Sequence, residues 1–405
     1  MKVFNIKKFN SKYFFAIGII VSILLTLAYF QIPKIIHLNY SIPVDSIKNQ
    51  EFTVVLAEEL IQKELKPIVA HKETPEAVKA IYISSWAAGT KDFRKRILNK
   101  IEGTEINSVV IDIKDYSGRI SFNVSDSYLK EIGSVENRIP DIIDFINELH
   151  NKEIYVIGRI SVFQDPYLTK HKPDLAVKKL SDKNTLWTDY KGIGWLDAGA
   201  EEVWKYIVAI SKESYSIGFD ELNFDYIRFP SDGNMKDIYY PFSENKIKAE
   251  VIRDFFSYLH ENLKESNITT SANLFGMTIT NTNDLNIGQI LEFATPYFDF
   301  IAPMIYPSHF PNGWNGYAVP AKEPYNVIKI SIEKGIERLK IINENPQKIR
   351  VWLQDFNLGA KYTPDMVTAQ IQAVNDAGLD SWMLWDPSNT YTHEALIFKP
   401  VIKIE

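Results

Sequence analysis

The chain has 405 residues, 45% of them hydrophobic and 13% aromatic, and a formal net charge of −6. That charge leaves no basic footprint for nucleic acid, so no nucleic-acid partner is expected. The chain has 0 cysteines, which removes disulfides and thiolate metal sites, and its 7 histidines show no metal-binding spacing such as H-E-x-x-H, so neither a metal site nor a cofactor is expected.

At the N-terminus, Lys2, Lys7, Lys8 and Lys12 precede an uncharged apolar run from Tyr13 to Ile32. The run has the length of a bilayer-spanning helix. It is longer than the core of a typical signal peptide, and no small-x-small cleavage site follows it. Cationic flanks stay on the cytoplasmic side. Residues 1–12 are therefore expected in the cytoplasm and residues 13–32 as a signal-anchor helix. This makes a single-pass protein of the cell membrane with everything after the anchor outside the cytoplasm. A cleaved signal is the alternative. Residues 33–77 read as a juxtamembrane spacer, with a short amphipathic stretch at Phe52 to Leu65 ahead of Pro67 and Pro75.

From Val78 the rhythm changes, and short β-rich runs alternate with helical stretches. The predicted strands are Ala80 to Trp86, Ser108 to Asp115, Ile154 to Val162, Phe219 to Ile227, Ile268 to Phe275, Phe298 to Tyr306, Ile349 to Phe356 and Asp380 to Asp386. Helical spacing of apolar residues marks Arg138 to His150 and Glu244 to Glu265. Thr363-Pro364-Asp365 is a helix start, with a capping hydroxyl and Pro at the first position, and Gly378 suits that helix's end. Eight strands with intervening helices predict a (β/α)8 TIM barrel over residues 78–405. An open doubly wound sheet is the alternative, but no Gly-rich phosphate turn follows the first strand.

The segment Gly218 to Pro230 reads G-F-D-E-L-N-F-D-Y-I-R-F-P. Alternation along a strand puts Glu221, Asn223 and Asp225 on one face and Leu222, Phe224 and Tyr226 on the other. Unpaired buried carboxylates cost several kcal/mol or shift their pKa. Such a row is either a site or a buried salt-bridge network holding the sheet together. Active sites of (β/α)8 barrels lie at the C-terminal strand ends. The residues found there are Trp86; Asp112, Lys114 and Asp115; Arg159 with Asp165 beyond it; Asp225 and Arg228; Asn273; Tyr306 with Ser308 and His309; Gln354 and Asp355; and Trp385 and Asp386.

Carboxylates among Arg, Tyr and Trp suit sugar chemistry, in which one carboxyl acts as acid and another as nucleophile or base. Asp225 is the first candidate for an essential carboxylate, kept ionised by Arg159 on the neighbouring strand. Asp112, Asp355, Asp115 and Asp386 compete to be its partner, and Asp112 shares a face with Lys114, which would keep it anionic. Strand parity alone does not decide whether Gln354 or Asp355 faces the mouth. The candidate catalytic residues are Asp225, Asp112 and Asp355. The candidate substrate contacts are Arg159, Arg228, Lys114, Glu221, Asn273, Tyr306, His309, Trp86, Trp385 and Asp386. Trp187, Tyr190 and Trp195, after the third strand, either roof the site or fasten their own loop. An aspartate-rich mouth can also hold Ca²⁺ through oxygen ligands, although nothing in the sequence demands it.

The motifs I-D-I-K-D at Ile111 to Asp115, G-R-I-S-V-F-Q-D at Gly158 to Asp165, and F-D-E-L-N-F-D-Y-I-R-F-P at Phe219 to Pro230 are joined by three more. These are A-P-M-I-Y-P-S-H-F at Ala302 to Phe310, V-W-L-Q-D-F at Val351 to Phe356, and W-M-L-W-D-P-S-N at Trp382 to Asn389. Together they resemble a bacterial family of TIM-barrel glycoside hydrolase domains, once filed as a domain of unknown function, over about Val78 to Phe398. The resemblance implies hydrolysis of a glycosidic bond in a cell-envelope or extracellular polysaccharide, a poly- or oligosaccharide partner, and no cofactor. It also implies S-A-D-x-F-G at the fifth strand, where this chain reads S-A-N-L-F-G. Asn273 thus stands where a carboxylate is expected, and an amide cannot act as a proton-donating acid. Pro is likewise expected in place of Ala198, a difference confined to a loop. The alternatives to an enzyme are a non-catalytic glycan-binding barrel and an envelope scaffold.

Overall fold

The computed structural model describes residues 69–397. The expected cytoplasmic segment, the signal-anchor and most of the spacer lie outside these residues. No helix among the described residues is long and apolar enough to cross a membrane.

Eight parallel strands close into a barrel in chain order. They are β1 (Lys79–Ile83), β2 (Ser108–Lys114), β3 (Tyr155–Ser161), β4 (Glu221–Asp225), β5 (Thr269–Phe275), β6 (Phe300–Met304), β7 (Val351–Gln354) and β8 (Trp382–Trp385). Each falls inside the run predicted for it except at Lys79. The main outer helices are α1 (Lys91–Ile101), α2 (Ile142–Asn151), α3 (Glu201–Ser216), α4 (Lys248–Leu263), α5 (Pro324–Ile341) and α6 (Pro364–Asp376). Between β5 and β6 the crossover carries only the short helix Leu291–Ala294 and a 3₁₀ turn. The start of α6 follows its sequence: Thr363 Oγ1 accepts from Met366 N, Pro364 takes the first position, and Gly378 beyond the helix has φ +82.

Strand alternation sorts the residues into two apolar layers. Outward residues such as Val109, Ile111, Ile113, Leu222, Phe224, Val351 and Leu353 pack with the helices in one core. Inward residues Ala80, Tyr82, Val110, Tyr155, Ile157, Ala302, Trp352 and Met383 fill the barrel. Polar residues join this inner layer where they are paired. Glu221, at the N-terminal start of β4, accepts from Arg350 Nη1 at 2.8 and 2.9 Å and from Ser271 Oγ at 2.6 Å. The Arg350 guanidinium lies 3.8 Å from the Phe300 ring centroid. The chain before β1 lies against the same end of the barrel, where Lys72 N donates to Asp220 at 2.7 Å and Thr74 Oγ1 meets the Tyr155 hydroxyl at 3.0 Å.

Candidate active site

Climbing β4 two residues at a time leads from Glu221 in the barrel interior, through Asn223, to Asp225 at the C-terminal mouth. The register sets Arg159 beside Asn223 and beside Asp112 on its other flank. Its guanidinium is thereby placed between two carboxylates. Arg159 Nε donates to Asp225 Oδ2 at 2.9 Å, with Nη2 in ion-pair contact with the same oxygen at 2.7 Å, while Nη1 donates to Asp112 Oδ1 at 2.6 Å. Burial works against the charge on Arg159, but Asp225 and Asp112 outweigh it and hold the group firmly protonated.

The two carboxyls differ. Asp225 takes a further hydrogen bond from the Tyr226 backbone N–H at 2.6 Å. Asp112 takes one from the Tyr82 hydroxyl at 2.5 Å. Burial pushes the Asp112 pKa above the usual aspartate value, and the opposing pulls of Arg159 and Tyr82 offset this only in part. A carboxyl that gives up its proton reluctantly thus faces one braced by two N–H donors and an ion pair.

Aromatic rings wall the pair. The Tyr82 ring stacks on Trp385 at 3.9 Å, and Arg159 lies 5.0 Å from the Trp385 ring centroid. Burial raises the Tyr306 pKa and the nearby Asp225 charge adds to it, so this phenol stays neutral. Tyr226 has φ +52, a left-handed conformation unusual for a bulky residue. This kink ends β4 and turns the Tyr226 N–H onto Asp225.

The other predicted contacts divide. Tyr306 and Trp385 line the mouth beside Asp225 and Arg159. Trp86 is 58% exposed on the short helix after β1, with the Arg138 guanidinium 4.5 Å from its ring centroid. His309 is exposed and meets Tyr306 edge-on at 5.3 Å. Arg228 is buried beside Trp195, Tyr226 and Phe275.

Lys114 does not pair with Asp112. The register shifts between these two residues, and Lys114 Nζ reaches Asp165 at 2.9 Å and the Ser161 carbonyl at 2.6 Å, fully buried. Glu221 is sealed in the barrel with Arg350 and does not reach the mouth. Asn273 Oδ1 accepts from Asn223 Nδ2 at 2.9 Å and from Trp352 Nε1 at 2.8 Å, in the layer beneath Asp225.

The structure answers the parity question at β7. Gln354 is its last residue, and Asp355, just beyond, binds Thr392 N and Oγ1 at 2.8 and 2.7 Å. Burial raises the Asp355 pKa to about 6. Asp386 binds Ser388 N and Oγ, each at 2.8 Å, and orders the turn after β8. Asp355 and Asp386 thus fasten loops, and no ion pair links either to Arg159 among the described residues. Asp115 pairs with Arg138 at 2.6 Å. In the loop after β3, Trp187 and Trp195 are buried while Tyr190 is 82% exposed. No group of three or more His, Asp or Glu side chains is placed to hold a metal ion among the described residues.

Sequence reasoning missed Tyr82 and Tyr226 as parts of the site. Tyr82 carries a signal, since it lies two residues beyond Ala80 on the inward face of β1. Tyr226 follows Asp225 directly, but a regular strand would turn it outward.

The model of the family described as "Putative glycosyl hydrolase domain" matches residues 80–391, the span of the barrel. The chain belongs to this family. Among solved structures, the glycoside hydrolase domain of PgaB (BpsB) from Bordetella bronchiseptica is similar, with a TM-score of 0.58 and 12% identity over 80% of this chain and 99% of that one. At that identity the likeness is one of fold. A hypothetical protein from Ruminiclostridium thermocellum ATCC 27405 is 33% identical over 47% of this chain and 96% of its own, with a TM-score of 0.43. A comparison with curated proteins finds no match. The chain is therefore a glycoside hydrolase-like TIM barrel.

Proposed function

We propose that the chain is a membrane-anchored, extracytoplasmic glycosidase that cleaves a cell-envelope or extracellular polysaccharide at the C-terminal mouth of its barrel. The observation that carries this reading is the single guanidinium of Arg159 held between Asp112 and Asp225. Asp112 has the raised pKa of a general acid and protonates the glycosidic oxygen. Asp225, braced as an anion, attacks the sugar's C1 or activates a water that does so. The separation of the two carboxyls in the substrate complex decides between these routes. Arg159 serves both halves of the step. As Asp112 loses its proton it becomes an anion beside the guanidinium, while the negative charge of Asp225 is drawn toward the sugar. Tyr306 and Trp385 supply aromatic surface for the ring.

The anchoring belongs to the proposal too, and it rests on the apolar run at residues 13–32 and the lysines before it. A second reading, a glycan-binding barrel without turnover, is favoured by Asn273, an amide beneath Asp225. Release of reducing ends from a panel of bacterial envelope polysaccharides by the full chain separates the two. Release supports the glycosidase, whereas saturable binding without release supports the binder.

A further inference from the structure

Five arginines are buried among the described residues: Arg94, Arg159, Arg228, Arg338 and Arg350. Four have a carboxylate partner, respectively Asp141 for Arg94, Asp112 and Asp225 for Arg159, Glu292 for Arg338 and Glu221 for Arg350. Arg228 has none among the described residues, although it is only 7% exposed.

Its surroundings are aromatic instead. The guanidinium carbon lies 4.8 Å from the Trp195 ring centroid, 4.5 Å from Phe275 and 5.5 Å from Tyr226. One nitrogen, Nη1, is used internally, donating to the Phe229 carbonyl at 2.9 Å and the Ser231 hydroxyl at 3.2 Å. Nε and Nη2 donate to no acceptor among the described residues. Burial lowers the Arg228 pKa, and the charges of Asp225, Asp232 and Asp189, none of them paired with it, offset this only in part. A planar cation braced by rings, with donors left over, is suited to receive an oxyanion. Arg228 lies three residues past Asp225 and packs on Phe275 at the end of β5, so the ligand it faces enters beside the reacting carboxylates.

We infer that the saccharide bound at this mouth is anionic, and that Arg228 receives its carboxylate or phosphate next to the bond to be cleaved. This rests on the glycosidase reading and names its substrate class. An unpaired buried cation disfavours the empty site, and an anionic sugar supplies the missing charge, so binding and specificity come from the same contact.

Trp195, in contact with Arg228, provides the readout. Intrinsic fluorescence of the full chain is titrated with glucuronate, glucose 6-phosphate and glucose at millimolar concentrations, and Trp195→Phe identifies the responding ring. We expect at least one charged sugar to bind about tenfold or more tighter than glucose, with affinity falling as salt rises. The stronger of the two tells carboxylate from phosphate. Arg228→Met, which keeps a packed stem among the rings, should remove the preference for charge. Arg228→Lys, which retains the charge without the planar stack, should keep part of it and guards against a folding defect in the methionine variant. Equal binding of glucose and both charged sugars, or an Arg228→Met variant that prefers charge as the wild type does, overturns the anionic inference alone. Failure of any sugar to bind, charged or neutral, overturns the saccharide reading with it.

Discussion

Replacing Arg159 by Met keeps the apolar stem against Tyr82 and Trp385 but removes two charge-assisted hydrogen bonds, at 2.9 and 2.6 Å for Nε and Nη1, and the ion-pair contact of Nη2 at 2.7 Å. The remaining Asp112 and Asp225 are 2% and 5% exposed and face one another without a cation. Breaking a buried pair from one side costs about 3–5 kcal/mol. With roughly 2 °C of melting midpoint per kcal/mol for a large domain, the loss near neutral pH should be about 6–10 °C. The deficit should also depend on pH. Without the guanidinium, at least one carboxyl has its folded-state pKa raised above the unfolded value of about 3.9. Such a group favours folding while protonated, and that stability is lost as pH rises through the folded pKa. The variant should therefore lie close to wild type near pH 4 and fall progressively behind toward pH 8. Thermal melts at both pH values, with wild type alongside, measure this. A deficit under about 1 kcal/mol at pH 8, or one of equal size at both pH values, would show that the guanidinium does not hold Asp112 and Asp225 together as described.

Asp355 offers a contrasting case. Its folded pKa of about 6 lies above the unfolded value, so its contribution to stability is full below the unfolded pKa and is lost as pH rises toward 6 and beyond. The loss amounts to about 3 kcal/mol for a shift of roughly two units. Asp355→Asn should abolish that part of the stability slope between pH 4 and 7, seen by denaturant titration, and leave turnover within about twofold of wild type because the side chain fastens Thr392 rather than facing the mouth. Asn273→Asp keeps an acceptor for both Asn223 and Trp352. With Asp112 as the acid, its turnover should stay within about threefold of wild type, and a gain of tenfold or more in a reducing-end assay would move the acid to position 273.

Much of the barrel is legible in the sequence because both faces of its strands obey simple alternation. Runs such as S-V-V-I-D-I-K at β2 put Val109, Ile111 and Ile113 toward the helices and Val110 and Asp112 inward, whatever the fold around them. The pairing of Arg159 with Asp225 follows from neighbouring strands and inward parity. What stays hidden depends on departures from that alternation or on register. The shift between Asp112 and Lys114 sends the lysine to Asp165. The left-handed kink at Tyr226 turns a residue that alternation would place among the helices. Tyr82 reaches Asp112 because β1 pairs Tyr82 with Val110, one inward step below. Asp355 shows the same limit, since the choice between it and Gln354 turns on where β7 stops, and a four-residue strand gives no internal check.

The most direct measurement compares wild type, Asp225→Asn and Asp112→Asn on whichever envelope polysaccharide yields reducing ends, with circular dichroism confirming that all three are folded. Turnover should fall by about a thousandfold or more in Asp225→Asn and by at least about a hundredfold in Asp112→Asn, while saccharide binding persists. Folded variants that release reducing ends at the wild-type rate would contradict it, and would leave the Asp112–Arg159–Asp225 cluster as a structural network of the barrel.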